Sequence, residues 1–246
     1  MKISTDSIYS QLGNAYVDFS NNQIASSLEK INEILLLQPD LPDAHLLKGQ
    51  LTSISKDTQS SVESFEKYKS LLPSTYQSRL FLANAYIKNK QFDKAEQELD
   101  LLLQISPEQP FVNQMKGLVR YNKQDFEAAK RYTEKAIQNG MESVSNRVVA
   151  GVSSFRLQHF EQAFRHIDPI KDQLPANSQI HKLLTILQLN LGLGQEAGQT
   201  LADIEGLNED DIILLSSASA QLIKSGHFEK AKDLVQLAES IEYTNA

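Results

Sequence analysis

Leu82-Ala83-Asn84-Ala85-Tyr86, followed by Gln91-Phe92-Asp93-Lys94-Ala95, is the clearest copy of a wording that returns every 34 residues. Ser27, Ser61, Ala95, Ala129, Ala163, Ala197 and Ala231 form one column of small residues at that spacing. Twelve positions earlier stand Ala15, Gly49, Ala83, Gly117, Gly151, Thr185 and Ser219. Phe92, Phe126, Phe160 and Phe228 recur three positions before the small residue, with Ile24 in the first copy. Pro39, Pro73, Pro107 and Pro175 recur twelve positions after it. Several columns in step at one period mark an array of a single supersecondary unit.

Each column has a mechanical reading. A unit holds two stretches of about 14 residues with helical periodicity, each roughly 21 Å long. In residues 76–109, Leu80, Leu82, Ala83, Tyr86 and Ile87 mark the apolar side of the first helix. Phe92, Ala95, Leu99, Leu102 and Leu103 mark that of the second. Lys88-Asn89-Lys90-Gln91 between them is short and polar, so the two helices run antiparallel. The small columns fall where the helices cross, and the Phe fills the volume beside that crossing. Each Pro closes a second helix, having no N–H to donate and disfavouring helix at the residue before it. Pro42 and Pro110 sit just inside the next helix, where the missing N–H costs nothing.

This pattern resembles the tetratricopeptide repeat (TPR) family. The resemblance covers residues 8–245 as a single array of seven units: 8–41, 42–75, 76–109, 110–143, 144–177, 178–211 and 212–245. It implies an all-α fold, a right-handed α-solenoid of antiparallel helical hairpins, acting as a non-catalytic protein–protein interaction scaffold. Three departures stand out. The family's early Trp is replaced by Gln11, His45, Arg79, Asn113, Arg147 and His181. The closing Pro is replaced by Met141 and Glu209. Thr58 stands where Phe is expected, which predicts a looser second hairpin. The last unit ends with no further helix to cover it, so a longer parent protein is expected, and so is self-association through that unit.

Composition removes several kinds of chemistry. The 246 residues contain no Cys, so disulfides, zinc thiolates and a cysteine nucleophile are excluded. A net charge of -7 argues against nucleic acid or an anionic membrane as a general partner, because both need a basic face. The surplus acid reads as spread over outer faces and turns, not gathered into a site. Met1–Ser7 lacks the apolar core of a secretory signal, and no stretch approaches the roughly 20 apolar residues of a membrane span. Gly192-Leu193-Gly194 lacks the GxGxxG spacing and a P-loop Lys, and reads as a hairpin turn. The five His are scattered, with no HExxH pair to hold a metal. Asn208-Glu209-Asp210-Asp211 lacks the pattern of a calcium loop and reads as a turn whose carboxylates favour the next helix N-terminus. Lys130–Lys135 reads as a solvated face, and neither GxSxG nor SxxK occurs. No catalytic residue, cofactor or metal ligand is assigned.

If the family geometry holds, the first helix of each unit lines a concave groove through its second, fifth, ninth and twelfth places. The resemblance therefore assigns partner binding to Tyr9, Leu12, Tyr16 and Phe19; Leu46 and Gln50; Leu80, Asn84 and Ile87; Phe111, Gln114, Leu118 and Tyr121; Val148, Val152 and Phe155; and Ile186 and Leu189. Family members that clamp a chaperone's C-terminal carboxylate use Lys, Asn and Arg on consecutive first helices. The fifth place here reads Leu12, Leu46, Leu80, Gln114, Val148, Lys182 and Ser216, so that clamp is not assembled. The groove instead suits an apolar extended peptide or an amphipathic helix of a protein partner.

Ala44-His45-Leu46-Leu47-Lys48-Gly49-Gln50, Asn113-Gln114-Met115-Lys116-Gly117-Leu118 and Val149-Ala150-Gly151-Val152-Ser153-Ser154-Phe155 are similar to the TPR lipoprotein of exosortase/PEP-CTERM systems. That resemblance implies a bacterial envelope scaffold in exopolysaccharide export or surface-protein sorting, with its lipid anchor on a Cys outside this segment. The alternative is a cytoplasmic regulatory TPR region of a multidomain enzyme or transcription regulator.

Overall fold

A computed structural model describes residues 5–72 and 75–244. Pro73 and the two ends of the chain, 1–4 and 245–246, lie outside the described residues. Among the described residues there are fourteen α-helices, two short 3₁₀ segments and no strand, so the all-α fold class holds. The helices gather into two compact bodies, residues 1–123 and 124–246. The first body contains α1 (Thr5–Ser20), α2 (Ile24–Leu37), α3 (Pro42–Ile54), α4 (Thr58–Leu71), α5 (Tyr76–Lys88), α6 (Phe92–Ile105) and α7 (Pro110–Asn122). The second contains α8 (Phe126–Gln138), α9 (Val144–Arg156), α10 (Phe160–Ile167), α11 (Gln179–Asn190), α12 (Gly194–Ala202), α13 (Ile212–Lys224) and α14 (Phe228–Thr244). Within each body neighbouring helices pack as hairpins and each hairpin packs on the next.

The small columns sit at the crossings. All seven residues from Ser27 to Ala231 are buried, and so are all seven from Ala15 to Ser219. A Cβ on Gly49 would lie 2.8 Å from the Phe65 ring, and one on Gly151 would lie 2.5 Å from Ile167 Cδ1. Where the column carries Ser, the hydroxyl spans the hairpin: Ser27 Oγ donates to the Ala15 carbonyl at 2.8 Å, and Ser61 Oγ to that of Gly49 at 3.0 Å. The second hairpin is therefore not looser for lacking its Phe. The buried Phe65 ring fills the space over Gly49 and stacks on Phe81 at 5.4 Å, while the Thr58 hydroxyl donates to Asn89 at 2.8 Å.

Each first helix ends in the same way. Asn22, Lys56, Lys90, Gln124, Gln158, Gly192 and Gly226 all have positive φ, from 58° to 83°, again at 34-residue spacing. In the first hairpin the Gln23 N–H donates to the Asp18 carbonyl at 2.8 Å, and the Asn22 N–H to that of Phe19 at 3.0 Å. This is the Schellman arrangement, in which a left-handed residue satisfies carbonyls that the helix end leaves open.

Second helices are less regular than the period implies. α10 has 8 residues and passes into a 3₁₀ segment, Asp168–Gln173, because Pro169 cannot donate the next helical bond. α12 stops after 9 residues. Met141 replaces Pro for a local reason. Gly140 takes φ +91°, and the Met141 N–H donates to the Ala136 carbonyl at 2.9 Å, a bond that Pro cannot make. Glu209 opens a 3₁₀ turn capped by Asn208 and Asp211, which accept from each other's segment at 3.0 and 2.9 Å. The Trp column also has a physical substitute. His45 and Asn113 reach back to the carbonyls of Pro39 and Pro107 at 2.7 and 3.0 Å, and His181 Nε2 lies 3.0 Å from that of Lys171, so polar side chains tie down the turns.

Candidate partner-binding surface

In the first body the assigned groove residues have different fates. Tyr9 is 51% exposed, and Tyr16 and Phe111 are also exposed. Burial, and then the Asp43 carboxylate, push the Tyr16 hydroxyl above its ordinary pKa. Leu12 is a correction: it is only 5% exposed and belongs to the core with Ile8, Ala15, Ile31 and Leu47. Ile8, Leu12 and Ala15 follow i, i+4, i+7 spacing, which turns Leu12 onto the packed face of α1. Phe19 is half-buried against the same core. Leu46, Leu80 and Ile87 are half-buried against a second core between α4 and α7. Gln50, Asn84, Gln114, Leu118 and Tyr121 are half-buried as well.

In the second body Val148 is half-buried, while Val152 and Phe155 pack on the core formed by Ala163, Ile167 and Leu184. Phe155 lies 5.9 Å from Phe160, ring to ring. Ile186 and Leu189 of this group meet in a concavity, a groove of about 770 Å³ between α11 and α13. Its walls are Lys182, Leu183, Ile186 and Leu189 on one side and Ile213, Leu214, Ser217 and Gln221 on the other. Ile213 is 79% exposed. The two helices are joined at both ends of the groove. Lys182 Nζ meets Asp211 Oδ2 at 2.7 Å, and Gln221 Nε2 donates to the Leu189 carbonyl at 2.8 Å.

The column reading assigned neither Lys182 nor Ile213, although they occupy the fifth and second places of their units. Leu214, Ser217 and Gln221 could not come from it. A groove forms between neighbouring first helices, so one wall uses the expected face and the other uses the flank beside it.

The arrangement offers apolar contact edged by amides, one hydroxyl and one ion pair. Among the described residues no group of three or more His, Asp or Glu is placed to hold a metal ion, and no helix is long and apolar enough to cross a membrane. At the last hairpin, Phe228 is 64% exposed, with Ile223 and Val235 exposed beside it. Phe92, Phe126 and Phe160 in the same column are half-buried.

Comparison with known proteins agrees with this geometry. Residues 76–109 match the tetratricopeptide repeat family. Among curated proteins, the chain is 18% identical over 252 residues to TPR repeat-containing protein MJ1428 of Methanocaldococcus jannaschii, covering 96% of this chain and 44% of that protein. It is 21% identical over 185 residues to the anaphase-promoting complex subunit CDC16 of Saccharomyces cerevisiae, covering 72% of this chain and 22% of that one. The chain thus spans less than half the length of either relative. Among solved structures, the C-terminal part of a TPR repeat-containing protein from Cytophaga hutchinsonii superposes with a TM-score of 0.70 at 14% identity, covering 95% of this chain and 96% of that one. YrrB, described as a TPR protein with an unusual peptide-binding site, gives 0.62 at 18% identity over 73% of this chain and 93% of its own.

Proposed function

From a chain that carries a tetratricopeptide repeat and shares the fold of tetratricopeptide proteins, we propose a non-catalytic scaffold that takes an apolar extended peptide or an amphipathic helix of a protein partner along its first helices. Residues 8–245 working as one array of seven 34-residue units is part of this proposal, supported by the columns that keep step along the chain. The observation that carries it is the α11/α13 groove, where Ile186, Leu189 and the exposed Ile213 offer apolar anchors between two fixed walls. A peptide-binding site on YrrB, which shares the fold, is in keeping with it. In the first body, exposed aromatic residues such as Tyr9 and Phe111 offer anchors of their own. The exposed Phe228 face supports self-association as a second contact of the scaffold.

The narrower placing, as a lipid-anchored envelope scaffold of exopolysaccharide export, rests on first-helix wording alone. None of the relatives or structures named above bears on it.

The test is capture from native lysate with Ile186→Ser/Ile213→Ser beside the wild type, read by mass spectrometry. Loss of specific partners with an unchanged helical melt supports the reading. An identical set of captured proteins refutes it.

A further inference from the structure

A second concavity, of about 580 Å³, opens where α10 and α12 are cut short. Four carboxylates line it: Asp168 and Asp172 from the 3₁₀ segment, and Glu196 and Asp203 from α12 and its end. Acid is therefore gathered here, contrary to the even spread that composition implies. Lys171 also lines the cleft, pairs with Asp168 at 2.9 Å and acts on Asp172 as well, while Glu196 and Asp203 form no ion pair among the described residues. Phe164, Leu174 and Leu184 supply apolar wall.

Gln188 of α11 lines the same cleft. It is only 3% exposed, and its amide oxygen has no hydrogen-bond partner. Its column explains why that is unusual. Asp18 accepts from Lys30 and Ser26, Thr52 donates to the Lys48 carbonyl, Tyr86 donates to Glu66, Arg120 pairs with Glu96, and Ser154 donates to the Ala150 carbonyl. Each of these side chains has a partner within the fold. A buried acceptor left open carries a desolvation cost that a donor from outside would relieve.

We propose that this cleft is a binding site for an ammonium or guanidinium group on an aliphatic stem, presented as a Lys or Arg side chain by a basic segment of a partner protein. The stem lies along Phe164, Leu174 and Leu184, the charged head meets the carboxylates, and one N–H reaches the Gln188 oxygen. A compact metal ion does not fit the same acids, since no three of them converge on one point. The site is separate from the α11/α13 groove, so it stands or falls independently of that groove's function.

The test is calorimetric titration of the whole chain with three probes: a capped peptide of alternating Arg and Ala, the same peptide with neutral citrulline for Arg, and spermidine. Saturable binding of the Arg peptide but not the citrulline peptide is expected. Gln188→Leu, and separately Glu196→Gln/Asp203→Asn, should weaken it about tenfold or more. Glu29→Gln/Glu33→Gln on α2 makes the same charge change elsewhere and should leave it unchanged. Should Gln188→Leu fail to fold, the double variant at two exposed residues carries the test. No saturable binding, or equal weakening by the α2 variant, overturns the proposal. Binding of spermidine without the Arg peptide overturns the protein source in favour of a free polyamine.

Discussion

Two glycine-to-alanine substitutions in first helices should have opposite signs. A helix-interior Gly→Ala change favours folding by about 1 kcal/mol when nothing else intervenes. Gly13 in α1 meets that condition, since a Cβ there has no other atom within 4 Å. Gly13→Ala should therefore raise stability by about 1 kcal/mol, a few degrees in melting temperature for a chain of this size. Gly151 in α9 does not. Its new methyl would lie 2.5 Å from Ile167 Cδ1 and 2.6 Å from Cγ1, where carbon atoms rest at about 3.5–4.0 Å. Ile167 is fully buried, so its side chain can make room only by disturbing the core it packs in. Overpacking of that kind costs about 1–3 kcal/mol, which outweighs the propensity gain and makes Gly151→Ala destabilising on balance. Urea and thermal melts followed by circular dichroism would separate the two, compared by midpoint because repeat arrays need not unfold in one step. Ile167→Ala alone costs about 2–5 kcal/mol through its cavity. Combined with Gly151→Ala it should cost less than the sum of the singles, since the methyl occupies part of that cavity. If Gly151→Ala stabilises as much as Gly13→Ala does, the helices do not approach closely at this column and the account of the crossing is wrong.

Further outcomes follow from single residues. Lys90→Gly or Gln158→Gly should stabilise by up to about 1 kcal/mol, because the left-handed conformation both adopt is strained for a residue with Cβ; a fall in melting midpoint would contradict it. Met141→Pro restores the residue that the column favours, yet it removes the donor to the Ala136 carbonyl and should lower the midpoint by the equivalent of about 1–3 kcal/mol. Glu96→Gln should cost a similar amount at neutral pH, since Lys116, 1% exposed, loses its 2.8 Å partner and keeps Asp100. It should also flatten the acid limb of the stability profile. Burial alone would raise the Glu96 pKa, but the Lys116 and Lys123 bonds outweigh it and hold the pKa below the ordinary 4.5. The stabilisation is then complete above about 4.5 and lost as pH falls through the lowered folded value, so denaturation midpoints should converge for the two proteins in acid.

The fold was legible because its constraints are steric and repeat. Ala95 and Ala163 must be small whatever their surroundings, and Phe65 could replace the missing Phe of the second hairpin because Gly49 left it room. The turns were less legible. A left-handed position announces itself as Gly192 or Gly226, but Lys56, Lys90, Gln124 and Gln158 adopt the same conformation with no compositional mark. The Schellman bonds override residue preference there, which only the backbone reveals. Met141 looked like a lapse in the pattern, whereas its N–H has a partner of its own. On the candidate surface, the rule of places reached Ile186 and Leu189 but misplaced Leu12, because periodicity shows that a face exists and not how deeply its neighbours cover it.

That difference follows from how repeat folds store information. Each column describes a contact between one helix and the next within a hairpin, so the 34-residue spacing states the same steric demand again and again along the chain. A binding surface is specified by what departs from the columns. Ile213 matters because it puts an apolar side chain at an exposed place where Gln77, Ser145 and Gln179 are polar, and Gln188 because its amide oxygen has no partner where the other polar side chains of its column have one. The acidic cleft exists because Pro169 and the early end of α12 break the length that the period sets for second helices. Each is an exception to a rule that the rest of the chain obeys, and an exception has physical meaning only once the coordinates show what fills, or fails to fill, the space that the rule would have occupied.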